Sequence, residues 1–471
     1  MPSRWKRPYD LPAFSTDRRT ILRAMFLSAG SVGLPQWLAA CGQSPVATGA
    51  GDGPGGDGPM PTSGRFQNIG PLRDADDNGV RTPEGFSTRV VAINGELPQP
   101  DGMSISGPQT GGVGSRPWHI LNDGGGVIPR DNGGWIYVSN SEVPGTGNLA
   151  QIDNRLAVLG NLLETLTPGL GGVGTLVFDP DGTIVDSYSI LTNTTFNCSG
   201  GMTPWGTWLS CEEFPDGQVW ECNPFEAGQG VALPALGFFD HEAIAVDSRL
   251  KVIYQTEDKP EGRFYRFVPD VEDWPPGAER PDLQSGRLQA LVVGGDGIEA
   301  ALHTPQPCSW MDVSDPDRPQ LGNYDPETTP FDGGEGLWLF NSIAYFSTKG
   351  DNRIWAYDTY NDTIEVIYDL ATAEAPNNIL SGVDNITVTP QGDVLVAEDG
   401  GDMQVVVILP NGELKPLLQI VGQDASEIAG IAFTPDGSRM YFTSDRGGRA
   451  VGGGYGLGAG MLYELILPDT I

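Results

Sequence analysis

Residues 385–400 read NITVTPQGDVLVAEDG, and residues 430–445 read GIAFTPDGSRMYFTSD. Each is a β-branched or aromatic run, a Pro/Gly turn, a second such run, and then acidic or polar residues. That chemistry favours hairpins. The unit recurs at 126–142 (GVIPRDNGGWIYVSNSE), 243–258 (AIAVDSRLKVIYQTED) and 336–351 (GLWLFNSIAYFSTKGD), with a compressed copy at 201–213 (GMTPWGTWLSCEE). Further strand pairs lie between the units, at 176–190, 353–370 and 405–420. Two hairpins per repeat make a four-stranded blade, so the expected fold is an all-β propeller of six blades with loop insertions. Residues 385 to 430 span 45 positions, one blade length, whereas Glu257 and Lys349 are 92 apart. An insertion around the Pro-rich 272–281 (EDWPPGAERP), or a seventh blade, is expected in that gap. Residues 461–468 (MLYELILP) should pair with 86–93 (FSTRVVAI), closing the ring and removing its free edges.

Each unit ends its second strand on polar residues: Ser141-Glu142, Glu212-Glu213, Glu257-Asp258, Lys349-Gly350-Asp351, Glu398-Asp399 and Asp445-Arg446. Equivalent positions in successive blades ring the central channel, so these carboxylates should converge on one of its ends. Such a set needs cations to be stable. The stretch 200–213 (GGMTPWGTWLSCEE) adds a thiol, Cys211, to the acids Glu212 and Glu213. Many oxygen ligands suit Ca²⁺, while a thiolate among carboxylates suits a transition metal such as iron. The competing reading is a solvated acidic turn with Cys211 as a core residue or half of a disulfide with Cys198, Cys222 or Cys308. Only three histidines occur, at 119, 241 and 303, which disfavours a His-rich zinc site. His241 reads either as a satisfied turn residue or as a group supporting a metal ligand. No nucleophile elbow is present, and the Gly-rich 452–460 lacks the Lys-Ser/Thr of a phosphate loop. Metal-assisted hydrolysis of an anionic substrate remains. Lys349, Arg353 and Asn197 are candidates for neutralising that substrate, with ordinary ion pairing as the alternative.

The N-terminus reads as an address. Residues 17–22 (DRRTIL) form a twin-arginine pattern before a modestly apolar run, and Leu38-Ala39-Ala40-Cys41 resembles a lipobox that would lipidate Cys41. Residues 42–64 then read as a flexible linker, with the catalytic domain at 65–471. Cleavage before Cys41 removes six of 27 basic and two of 61 acidic residues, taking the net charge from −34 to −38. Such a surface repels nucleic acid, and membrane contact is expected only through the lipid. A monomer in the periplasm or at the cell surface is expected.

Six segments, GGMTPWGTWLSCEE, FDHEAIAVD, YQTEDKPEGRFYRFVP, GGEGLWLF, STKGDNRIWAYD and VDNITVTPQGDVLVAEDG, resemble the PhoX-type alkaline phosphatases from about residue 125 to 445. The resemblance implies a six-bladed propeller that hydrolyses phosphate monoesters with Fe³⁺ and Ca²⁺. It implies Cys211 as the iron thiolate. The carboxylate ligands would be Glu212, Glu213, Glu257, Asp258, Glu335, Glu398 and Asp399, with Asp384 and Asn385 in the same shell. Where larger members carry an Asn-Ile-Gln-His-Pro-Gly type segment, this chain has Thr443-Ser444-Asp445-Arg446-Gly447-Gly448. The missing His makes substrate turnover less secure than metal binding. A calcium propeller of the lactonase or arylesterase kind, and a non-catalytic calcium-stabilised propeller, are the other functional classes open.

Overall fold

The computed structural model describes residues 63–103, 112–114, 116–143, 171–447 and 460–469. The N-terminal signal, Cys41, the linker up to residue 62 and most of the Gly-rich 452–460 lie outside the described residues.

Six antiparallel sheets follow one another in the chain. Blade I comprises Asn122–Pro129, Trp135–Ser141, Gly171–Phe178 and Ile184–Thr194. Blade II comprises Asn197–Met202, Trp208–Glu212, Val219–Cys222 and Val231–Ala232. Blade III comprises His241–Asp247, Val252–Glu257, Phe264–Pro269 and Gly286–Val293. Blade IV comprises Gly334–Phe340, Ile343–Thr348, Arg353–Asp358 and Thr363–Asp369. Blade V comprises Val383–Val388, Val394–Glu398, Gln404–Ile408 and Leu414–Ile420, extended by the short Val80–Arg81. Blade VI takes Ile428–Phe433, Arg439–Ser444 and Met461–Ile466 from the C-terminal end and Ser87–Ile93 from the N-terminal end. The ring is thus closed by mixing the two ends, as the sequence predicts.

The long gap after Glu257 holds no seventh blade. Residues 270–285, including the Pro-rich stretch, form the loop between the last two strands of blade III. The strand Gln306–Asp312 then pairs with Gly286–Val293 on one side and Thr363–Asp369 on the other, joining blades III and IV at the rim.

The inner strands of neighbouring blades touch all the way round, with blade VI meeting blade I. Each blade buries both faces, and six apolar clusters fill the six clefts. Trp208 and Val138 pack between blades I and II, and Val219, Ile253 and Phe267 between II and III. Phe264, Phe346 and Trp355 stack between III and IV. Ile354 and Val396 fill the IV–V cleft, Leu395 and Phe442 the V–VI cleft, and Tyr137 and Tyr441 the VI–I cleft. Fully burying one such side chain contributes roughly 1.5–3 kcal/mol, so the ring is held by its clefts and not by its polar centre. Close approach at the axis demands glycine. A Cβ on Gly336 would lie 2.5 Å from the Ile386 nitrogen in the next blade.

Candidate metal centre

Every inner hairpin carries a register slip at the same place. The pairing of the first and second strands shifts after Asn122, Asn197, His241, Gly334, Val383 and Ala429. A bulge re-aims the side chains beside it. Immediately after the first five of these positions stand Asp123, Cys198, Glu242, Glu335 and Asp384, all buried. They form an inner ring. In blade VI the equivalent pairing residue is Ile428, and Ala429 takes the ligand's place.

A second layer lies just past the end of each second strand: Glu142, Glu213, Asp258, Lys349, Asp399 and Asp445. Leaving the sheet lets these side chains turn to the channel mouth. The two layers meet in four groups whose ligand atoms lie within 4.8 Å of one another. They are Asp123–Glu142–Cys198, Cys198–Glu213–Glu242, Glu242–Glu335–Asp384 and Asp384–Asp399–Glu427. Further along the inner strands the channel becomes apolar, lined by Val127, Met202, Ile244, Leu337, Ile386 and Phe433.

This concentration of buried acids dominates the electrostatics. Burial first, then the neighbouring carboxylates, pushes Asp123 up to about 7 and Glu213 up to about 8. The same two causes hold Glu142, Glu242, Glu335 and Glu427 well above the usual carboxylate range. The Cys198 thiol donates to Asp123 Oδ2 at 2.9 Å, and burial among acids raises its pKa well above that of a free thiol. Glu242 is 1% exposed, and neither of its oxygens has a hydrogen-bond donor. Uncompensated buried carboxylate is costly, and a bound cation removes that cost. The donor set fits the metals the sequence implies. The Cys198 sulfur among carboxylates suits iron, and the carboxylate oxygens around it suit calcium.

The structure separates the predicted site residues into two sets. Glu213, Glu335, Asp384 and Asp399 join the converging groups, and Lys349 stands among them. Asp258 stands in the outer layer but in none of the four groups. Asn385 braces the site, donating to Asp384 Oδ1 at 2.9 Å and accepting from the Gly430 amide at 3.0 Å. The other candidates lie elsewhere. Cys211 lies within the second strand of blade II, paired with Val219, in the apolar cleft between blades II and III. Its side chain packs into that cleft, so the sulfur that joins the converging acids is that of Cys198 on the inner strand.

Glu212, Glu257 and Glu398 occupy the last position of their strands and turn back to hold loops. Glu212 accepts from the amides of Thr195 and Gln218 at 3.1 and 3.2 Å. Glu257 accepts from the Arg263 amide at 2.9 Å and the Tyr324 hydroxyl at 2.7 Å. Glu398 accepts from the amides of Ser381 and Gln404 at 2.9 and 3.0 Å. Asn197 is spent on Thr194, at the end of blade I, and on Ser210 in blade II. Arg353 pairs with Glu299, Asp351 and Asp369. His241 is buried against Phe239, and burial lowers its pKa to about 3, so it is a neutral packing residue. All four described cysteines are free, which removes the disulfide alternative.

Asp123, Glu242 and Glu427 are not among the residues the sequence singles out, and Cys198 appears there only as a possible disulfide partner. Glu142, Asp445 and Arg446 appear only as ends of their repeat units, not as named ligands. A signal for the inner ring existed. In five repeats an acid or Cys stands at the head of the first strand, 14 to 19 residues before the outer-layer residue.

A propeller with buried anionic groups closing one end of its channel defines a class of metal-binding β-propeller proteins. Within that class the chain matches the family described as alkaline phosphatase PhoX over residues 182–337 and 349–448, more than half its length, and it belongs to that family. Among solved structures it is similar to Pseudomonas fluorescens PhoX in complex with vanadate, a transition state analogue. The two share 16% identity at a TM-score of 0.58, covering 85% of this chain and 98% of the other. It is also similar to a gluconolactonase from Xanthomonas campestris, at 14% identity and a TM-score of 0.42, covering 86% of this chain and 100% of that one. No curated protein sequence matches the chain.

Proposed function

We propose that this protein hydrolyses phosphate monoesters at the acidic channel mouth, with iron held on the Cys198 side and calcium among the carboxylates. The observation that carries the reading is Glu242, a buried carboxylate with no donor at the junction of two ligand groups. Membership of the PhoX family supplies the substrate class. Asp123, Glu142, Cys198, Glu213 and Glu242 would hold the metal. Such ions, when bound, polarise a phosphoryl oxygen and supply hydroxide at neutral pH. The chain's own part is positioning. Lys349 and Arg446 are each about one-third exposed, so they line the mouth where an anionic phosphoryl group would arrive. Their charges bind it and orient its oxygens. The mainly apolar channel beyond the acids keeps the site's dielectric low.

The deciding experiment is p-nitrophenyl phosphate hydrolysis by protein loaded with Fe³⁺ and Ca²⁺, compared with chelator-treated protein, alongside elemental analysis. Turnover that depends on bound metal is expected. Metal-loaded protein that is inert on phosphate monoesters but cleaves lactones would end the phosphatase reading. The twin-arginine pattern and the lipobox support a location outside the cytoplasm with a lipid anchor at Cys41. Cell fractionation of wild type and Cys41→Ser tests this, with release of the variant from the membrane fraction expected.

A further inference from the structure

The two halves of the ring are neutralised by different means. On blades IV–VI every site carboxylate lies within 4.0 Å of a protein cation. Lys349 Nζ is 2.8 Å from Glu335, 3.6 Å from Asp399 and 4.0 Å from Asp384. The Arg446 guanidinium is 2.6 Å from Asp445, 2.9 Å from Glu427 and 3.9 Å from Asp399. On blades I–III, among the described residues, no Lys or Arg nitrogen comes within 4.0 Å of Asp123, Glu142, Glu213 or Glu242. Glu242, wholly buried, has no donor on either oxygen.

We propose that Lys349 and Arg446 take the cation positions of blades IV–VI, so that metal loads only on the blade I–III half, at Asp123, Glu142, Cys198, Glu213 and Glu242. An ammonium 2.8 Å from Glu335 fills the space that an ion with metal–oxygen bonds of about 2.3–2.6 Å would need. Two cations cannot share that space without strong repulsion. Expelling Lys349 would also strip Glu335 and Asp384 of their cation while both remain buried. Among the described residues, the opposite half holds no cation on Asp123, Glu142, Glu213 or Glu242 to expel, Lys259 being paired with Asp240 at 2.7 Å. The inference rests on the metal-dependent reading above, and it makes the chain's metal content smaller than its count of converging acids suggests.

The test is the metal-to-protein ratio of the full chain, desalted after loading with excess CaCl₂ and ferric iron. Wild type should carry metal that Glu242→Gln loses, whereas Glu335→Gln should keep the wild-type ratio. Lys349→Met should gain about one Ca²⁺ per chain, because the vacated carboxylates can then coordinate, and Lys349→Arg should stay at the wild-type ratio. Equal loss in Glu335→Gln and Glu242→Gln overturns the proposal. So does a folded Lys349→Met with unchanged metal content. Should Lys349→Met fail to fold, the glutamate pair decides alone. A wild type that binds no metal overturns the metal-dependent function as well, which separates that failure from this one.

Discussion

Blades I–III and blades IV–VI present the same backbone positions to one channel, yet they fill them with opposite chemistry. The first half offers Asp123, Glu142, Cys198, Glu213 and Glu242, with Glu242 lacking any donor. The second offers Glu335, Asp384, Asp399, Glu427 and Asp445, but inserts Lys349 and Arg446 among them. Blade VI goes furthest, with Ala429 at the inner ligand position and Arg446 just beyond Asp445. On the proposal above, the same fold position would bind a metal or replace one, depending on whether its neighbour is an acid or a base. The apolar clefts set the ring's geometry, so this choice is free to vary without unmaking the fold.

The comparison breaks most visibly at Glu242. Glu242→Gln removes the charge but keeps the shape, and metal-dependent phosphatase activity should fall by more than the roughly 10–100-fold that losing a mere supporting partner costs. The melting temperature of the metal-free protein at neutral pH should rise, since the substitution removes a buried carboxyl that must either take up a proton on folding or carry an uncompensated charge. Unchanged activity in Glu242→Gln would move the metal away from blades I–III.

A pair of cysteine variants follows. Cys198→Ser should lose iron and most activity while the ring survives, because the hydroxyl is a poor substitute for a soft thiolate. Cys211→Ser should keep metal and activity but lose about 1–3 kcal/mol of stability, since it buries an unpaired hydroxyl in an apolar cleft. Elemental analysis and thermal melts on the two proteins separate these outcomes. The reverse pattern would restore Cys211 as the ligand.

That cysteine pair shows what the sequence makes legible. The repeat of hairpins sets the blades, their order and their closure through Met461–Ile466 and Ser87–Ile93, because apolar alternation is local and visible. The outer acidic layer is visible too, since it ends every unit. Facing is harder. In each acidic pair the strand parity divides the residues, so that Glu212, Glu257 and Glu398 hold loops while Glu213, Asp258 and Asp399 turn to the mouth. The inner ring depends on a bulge at the head of each first strand, and nothing in the residue types of a hairpin announces a bulge. Cys198, in the run NCSGG, is therefore hidden, and Cys211 beside two glutamates attracts the assignment instead.

A smaller effect is expected from pH. Burial among like charges lifts folded-state Asp123 to about 7 and Glu213 to about 8. The folded metal-free protein thus keeps protons that the unfolded chain has already released. Its stability is full below the ordinary carboxylate range and declines as pH rises toward about 8. Chelator-treated protein should therefore melt lower at about pH 8 than at about pH 5. Metal loading should flatten or reverse the order, because ions bind the deprotonated carboxylates and compete with those protons. A metal-free melt that climbs with pH would mean that these acids have partners in the folded ring.

The smallest effect should come from Arg353, which sharpens the contrast with Lys349 four residues earlier. The two cations leave the same hairpin in different directions. Lys349 follows the end of the second strand and enters the mouth, while Arg353 opens the third strand and faces Glu299, Asp351 and Asp369. Glu299 is 70% exposed, so that arm of the pairing is screened by water and salt. Asp369 is buried but also accepts from the Ala371 amide at 2.7 Å, so it keeps a partner when the arginine is removed. Arg353→Met should therefore cost about 1 kcal/mol, diminishing at high salt, with metal content and KM for p-nitrophenyl phosphate unchanged. Lys349→Met, by contrast, should change KM, because it exchanges an ammonium in the path of the phosphoryl group for a Ca²⁺ among the vacated carboxylates. Equal effects of the two variants on KM would return Arg353 to the substrate site and erase the distinction between the mouth and the rim.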